Sequence, residues 1–257
     1  MAKKNRIPTL ALLTAGTILF SLAWLMPSFP LLAFIGLSPF IAIAVNNRKE
    51  KSMWTSLELI LLGLTISLFM ATLFNKIEPA YLIGQAIVFT LAFLGYTFVR
   101  KNLGPGVSLI TIALFWLAIE YLLLKWNPAS SIYLADTLQL KEEWVSWNSQ
   151  TGYLGASLWI LITNILIFKA VLTEHKTNWL FVALFALSVT IPMIYSYLLD
   201  ADSITRDQMV LLYQSNGQDL SESYNANGEL IPRTSAWISV LILLFTFVKR
   251  KTNRKRK

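Results

Sequence analysis

The sequence predicts an all-α fold, a polytopic membrane helical bundle of about eight transmembrane helices with both termini on the cytoplasmic side. Three observations predict it. The 257 residues are 55% hydrophobic with a mean hydropathy of +0.56, too apolar for a soluble domain with a wettable surface. The apolar residues come in blocks of about 20, the length that crosses a bilayer core. Of the 22 Lys and Arg, only Lys76, Lys125, Lys141, Arg206 and Arg233 lie on the outer side when the N-terminus is placed inside, as the positive-inside rule requires.

The blocks follow in order. Residues 7–26 come after Lys3, Lys4 and Arg6, but the run is long and no small-x-small cleavage site precedes Pro27, so it reads as a retained first helix rather than a signal peptide. Residues 29–45 form the second block and 235–248 the last, both near the short limit for a span. The third, 53–74, carries Glu58 near its inner end, and the fourth covers 81–99. The fifth, 107–124, carries Glu120 near its outer end. A carboxylate in lipid is costly, so Glu58 and Glu120 are either functional or hydrated and paired near an interface, Glu120 with Lys125 for instance. In the sixth block, 152–172, Gly152, Gly155 and Ala156 permit close backbone approach, and Asn164 beside Thr163 suits an interhelical hydrogen bond. The seventh, 179–199, contains Pro192.

The chain therefore reads as a single transmembrane domain, 1–257, with outer loops 125–151 and 200–234 and a basic cytoplasmic tail 249–257. Loop 125–151 holds Trp126, Tyr133, Trp144 and Trp147 among Lys141, Glu142 and Glu143. Such aromatics sit at headgroup level, and the loop is expected to lie along the outer face as a short amphipathic element. It is either an interface anchor or the rim of a lipid-accessible cleft.

Composition removes several chemistries. The net charge of +8 comes from short juxtamembrane clusters and the tail, which fix topology and touch anionic lipid, so no nucleic acid partner is expected. With no cysteine there is no disulfide, thiolate metal site or thiol nucleophile. The one histidine, His175, reads as a solvated loop residue, and no phosphate-binding Gly-rich loop or HExxH motif occurs. No cofactor and no metal are expected.

The order of several segments resembles the membrane domain of apolipoprotein N-acyltransferase. They are PLLAFIGLSP at 30–39, WLAIE at 116–120, WVSW at 144–147 and TGYLGASLWILITN at 151–164. The resemblance extends over nearly the whole chain, including the eight-helix plan. It implies the bacterial inner membrane and a large outer nitrilase-like domain between the seventh and eighth helices. In that family a Glu-Lys-Cys triad takes an acyl chain from phospholipid as a thioester and passes it to a lipoprotein's α-amine. Here that position holds only 200–234, where VLLYQSN at 210–216 is similar to the first nitrilase strand and YNANGELIPR at 224–233 to the segment leading into the last helix.

A nitrilase-type sandwich needs a couple of hundred residues to enclose its core, roughly the size of an ordinary domain. A loop of this length cannot supply it, and no cysteine can form the thioester. No catalytic residue is carried over. The family's Trp and Glu transfer onto Trp116 and Glu120, while Leu123 stands where a basic residue is usual. The resemblance thus implies a non-catalytic relative that binds membrane phospholipid or a lipoprotein, or docks a separate nitrilase-like protein. The candidate contact residues are Trp116, Glu120, Trp144, Trp147 and Asn164, with Glu120 facing a headgroup or amine. The alternatives are a structural or interaction subunit, and a small lipid translocator or transporter hinted at by Pro192 and Asn164.

Overall fold

The structure is a computed structural model that describes residues 7–26, 28–46, 50–73, 78–173, 177–199, 201–214 and 228–255. His175, Asp200 and most of the segment between 210 and 228 singled out above lie outside the described residues, as do Lys3, Lys4, Arg6, Pro27, Arg48, Lys49, Lys76 and the end of the tail. Among the described residues every regular element is helical.

The long helices are α1 (Thr9–Leu25), α2 (Pro30–Asn46), α3 (Glu50–Ala71), α4 (Pro79–Leu103), α5 (Ile110–Trp126), α6 (Leu154–Leu172) and α7 (Trp179–Leu198). A nine-residue helix, α8 (Arg206–Gln214), and a 26-residue helix, α9 (Leu230–Lys255), complete the order. Five are long and apolar enough to cross a membrane: Met53–Ala71 within α3, α4, α6, α7 and Leu230–Thr252 within α9. The chain is therefore an all-helical membrane protein.

Boundaries differ from expectation for identifiable reasons. Helix α4 runs past 99 until Gly104, whose φ of 94° ends it in a conformation that glycine adopts without strain. Pro105 then opens a single turn, and α5 begins at Ile110 rather than 107. Helix α9 exceeds the expected 235–248 at both ends, because its C-terminal Lys and Arg are good helix formers and suit the negative end of the helix dipole. Of residues 210–216, expected from the family resemblance to be a strand, 210–214 belong to the helix Arg206–Gln214 instead, and 215–216 lie outside the described residues. The helix's buried Met209 and Leu212 lie three apart on one face, a helical spacing.

Six helices close a ring. Helix α1 packs on α3, α3 on α4, α4 on α5, α5 on α6, α6 on α2 and α2 back on α1. The fully buried Phe20, Phe34, Phe40, Phe89, Phe93 and Trp116 fill its core. Small residues admit the bulky ones: a Cβ on Gly63 would lie 2.5 Å from the Phe40 ring, so α3 must present a glycine where Phe40 inserts. Helix α7 packs outside the ring on α6, and α9 on α5 and α4. Only 11% of the α7 span and 22% of the α9 span are buried, which leaves apolar residues such as Leu187, Ile191, Leu241 and Phe245 facing outward as lipid-facing helices do.

Candidate functional site

The loop between α5 and α6 is not a single amphipathic element. It folds into a cap of short helical turns at Leu134–Leu138, Glu142–Trp144 and Asn148–Thr151, with Ile132, Tyr133, Leu134, Ala135 and Leu138 buried. An amphipathic element was expected because the aromatic residues were read singly. The apolar run from Ile132 to Leu138 instead buries itself against α4, α5 and α6.

Backbone groups buried by such a cap need partners, and the bundle supplies them from the few polar side chains in its helices. Gln85 on α4 accepts from the Ile132 N–H at 3.1 Å and donates to the Ile132 carbonyl at 2.5 Å. Glu120 on α5 accepts from the Leu134 N–H at 2.8 Å through Oε1. The hydroxyl of Ser157 on α6 accepts from the Ala135 N–H at 3.1 Å. Trp116, one turn below Glu120, donates its indole N–H to the same Oε1 at 3.1 Å and stacks on Phe89 with centroids 4.3 Å apart. Oε2 of Glu120 has no hydrogen-bond partner, and the side chain has no exposed surface. Glu120 does not pair with Lys125, whose ammonium goes elsewhere, to Glu229.

Asp136 is the second anchor. Its Oδ2 accepts from the Tyr133 N–H at 2.9 Å, its Oδ1 from the Tyr153 hydroxyl at 2.5 Å, and Arg206 at the start of α8 forms an ion pair with it. Burial works against the Arg206 charge, but the adjacent carboxylate outweighs this and raises its pKa above the ordinary value. Arg206 also donates to the Ser131 carbonyl at 2.6 Å. Next to it, Asn148 brackets Ile204, accepting from its N–H at 2.7 Å and donating to its carbonyl at 3.0 Å. The 201–214 segment is thus strapped onto the cap. Gly152, at φ 81°, is where the cap turns into α6, and a Cβ there would collide with the Gly228 carbonyl.

The five sequence-predicted residues divide into three groups. Trp116 and Glu120 join each other. Trp147 is buried edge-to-face against Trp159, centroids 5.6 Å apart, and its indole donates to the carbonyl of half-buried Trp144 at 3.2 Å. Asn164 lies apart from both, fully buried, bonding to α2 at Leu37, Ser38 and Ala33.

A different cluster stands at the open edge of the bundle. Glu229, just before α9, is bonded by Lys125 and Arg233, accepts from the Tyr121 hydroxyl at 3.1 Å and from the Tyr213 hydroxyl at 3.0 Å. Burial would push its carboxyl up, but the hydrogen bonds from Lys125, Arg233 and Tyr213 prevail and hold it at about 2. Beside this clamp an open groove is lined by Tyr121, Arg233, Ala236, Trp237 and Val240. The sequence carried a partial signal: Tyr121 and Lys125, like Glu229 and Arg233, are four apart and share a helix face. The pairing across more than 100 residues carried none.

The chain matches no family model, no curated protein and no solved structure. The described geometry offers binding surfaces, while buried Gln85, Glu120, Ser157, Asp136 and Asn148 hold the cap and strap in place.

Proposed function

We propose that this chain is a non-catalytic membrane protein similar to the membrane domain of apolipoprotein N-acyltransferase, serving lipoprotein maturation by docking a separate nitrilase-like protein or a lipoprotein. In this reading it crosses the bacterial inner membrane about eight times, with both termini cytoplasmic and the cap outward. Helices α1, α2 and α5 supply the crossings beyond the five long ones, and the 17 residues of α1 and α5 are at the lower limit of about 17 for a span.

The observation that carries the docking reading is the division of labour in the cap. Glu120, Asp136 and Asn148 point inward and fix the cap and strap in one arrangement. Exposed on the cap and strap are Glu142, Glu143, Asp202 and Asp207, with Lys141 bridged to Glu143, and the apolar Leu140 and Leu211. A preorganised surface of mixed acidic and apolar character favours recognition of a basic partner, because little ordering cost remains to be met on binding. The translocator alternative has less support: the break in α2 is closed by Asn164, and Pro192 sits on peripheral α7.

Photocrosslinking amino acids placed at Leu140 and Leu211, with Leu187 on the lipid face as control, test this reading in cells. A nitrilase-like protein or a lipoprotein should be recovered from the first two positions only, and recovery should be lost with Glu143→Lys and Asp207→Lys together. Crosslinks confined to lipid at all three positions would leave a structural subunit as the better description.

A further inference from the structure

The groove beside the Glu229 clamp has two chemically distinct parts. At one end it is lined by Arg233, which shares the Glu229 carboxylate with Lys125. Among the described residues two cations against one anion leave one positive charge over, and both are accessible: the side chains of Arg233 and Lys125 are 57% and 45% exposed, while Glu229 between them is 11% exposed. The tyrosines that also bond Glu229 are neutral and do not alter this balance. At the other end the wall is apolar, Ala236 and Val240 lying one turn apart on the same face of α9 with Trp237 between them in sequence.

Scale limits the occupant. From Arg233 to Val240 a helix rises about 10 Å, at 1.5 Å per residue. Between a phosphate held at Arg233 and the level of Val240 there is therefore room for the glycerol backbone and only the first few carbons of one acyl chain. A tryptophan near the charged end suits the headgroup boundary, and a guanidinium with free donors suits a phosphate. A free phosphate would make no use of the apolar part, and a hydrocarbon alone none of the charge.

We propose that this groove binds one anionic glycerophospholipid as a structural ligand, its phosphate at Arg233 and Lys125 and one acyl chain against Ala236, Trp237 and Val240. The lipid comes from the leaflet on the side of the cap. The inference rests on the groove lying at that membrane surface, and it does not require a protein partner to dock. Ligand and clamp are coupled: Glu229 orients both cations, and the lipid neutralises the charge that Glu229 leaves uncompensated.

The test uses the full chain reconstituted in bilayers of equal phosphatidylglycerol and phosphatidylethanolamine, released into detergent and read by native mass spectrometry. The wild-type chain should retain one lipid with phosphatidylglycerol enriched about ten-fold over phosphatidylethanolamine. Arg233→Gln should return the ratio to about one. Val240→Trp, at an exposed position that can take the bulk without entering the core, should abolish retention while Arg233 remains. Retention at the bulk ratio in the wild type, or unchanged enrichment in either variant, overturns the proposal. Because the isolated chain is used, these outcomes are separate from the crosslinking result above.

Discussion

Asn164 takes the place of a main-chain hydrogen bond of Leu37. In a regular helix the Leu37 N–H would donate to the Ala33 carbonyl; here it donates to Asn164 Oδ1 at 2.8 Å, and Asn164 Nδ2 donates to that carbonyl at 2.7 Å. The cause lies two residues on. Pro39 has no N–H for the Ile35 carbonyl and its ring pushes the preceding turn open. Ser38 Oγ donates to the Ile35 carbonyl at 2.7 Å, and the Ser38 N–H joins Leu37 on Asn164 at 2.9 Å. One amide from α6 thus seals the break in α2, as a membrane interior demands.

Asn164→Leu should therefore destabilise the protein, by about 1–3 kcal/mol for each buried group left unpaired and less if the helix relaxes. The decisive comparison is with Pro39→Ala. Restoring the N–H at residue 39 lets α2 close on itself, so Asn164→Leu should cost clearly less in the Pro39→Ala background. Thermal unfolding in detergent measures all four proteins, and additive effects would sink the account.

Glu120 separates a structural from a ligand-binding role. Glutamine keeps a carbonyl oxygen for the Trp116 and Leu134 N–H groups and adds an amide beside Ser157, so Glu120→Gln should leave the cap intact. Glu120→Ala strands both donors and should cost about 2–4 kcal/mol, with the 127–153 segment cut first by protease. Equal protease resistance of the two variants would show that the cap does not depend on this carboxyl.

The bundle was legible in the sequence because its signal is local: apolar blocks of span length and basic residues at their ends. The cap was not, because its anchors come from distant helices. Gln85 and Ser157 are ordinary residues, and Glu120 a carboxylate without an assigned partner, until Ile132, Leu134 and Ala135 are seen to need partners. Asn164 was legible as an interhelical bond, but its use depends on Pro39, 125 residues earlier in a different helix. The strap's helix was not legible because residues 210–216 resemble a family strand, and the helical face shows only in the burial of Met209 and Leu212 with Leu211 exposed.

Arg206 and Asp136 form a buried pair, so removing one partner should cost more than removing both. Arg206→Met leaves the buried Asp136 carboxylate with only the Tyr133 N–H and the Tyr153 hydroxyl to compensate it, and about 3–5 kcal/mol is the upper range for breaking a buried pair. Arg206→Met with Asp136→Leu should recover part of it. Hydrogen exchange at the α8 amides reads the strap directly: fast exchange in the single variant and partial protection in the double is the expected pattern, whereas full protection in both would show the pair to be dispensable.

Glu229 gives the outer edge a defined acid response. Its carboxyl titrates at about 2 in the folded protein against an ordinary value of 4.5, so the folded state favours the ionised form. A depressed carboxylate contributes stability that is fully present above its unfolded pKa and is lost as pH falls through the folded one. The clamp should thus be indifferent to pH between about 7 and 5, weaken from about 4.5 downward and be spent near 2. As it weakens, Lys125 and Arg233 lose their shared anion and repel each other. Glu229→Gln removes this titration, so the difference in unfolding temperature between wild type and variant should be constant above about pH 5 and shrink below it. A difference that stays constant down to pH 3 would show that the carboxyl gains nothing from Lys125, Arg233 and Tyr213, and the groove's charge would then have to be assigned without it.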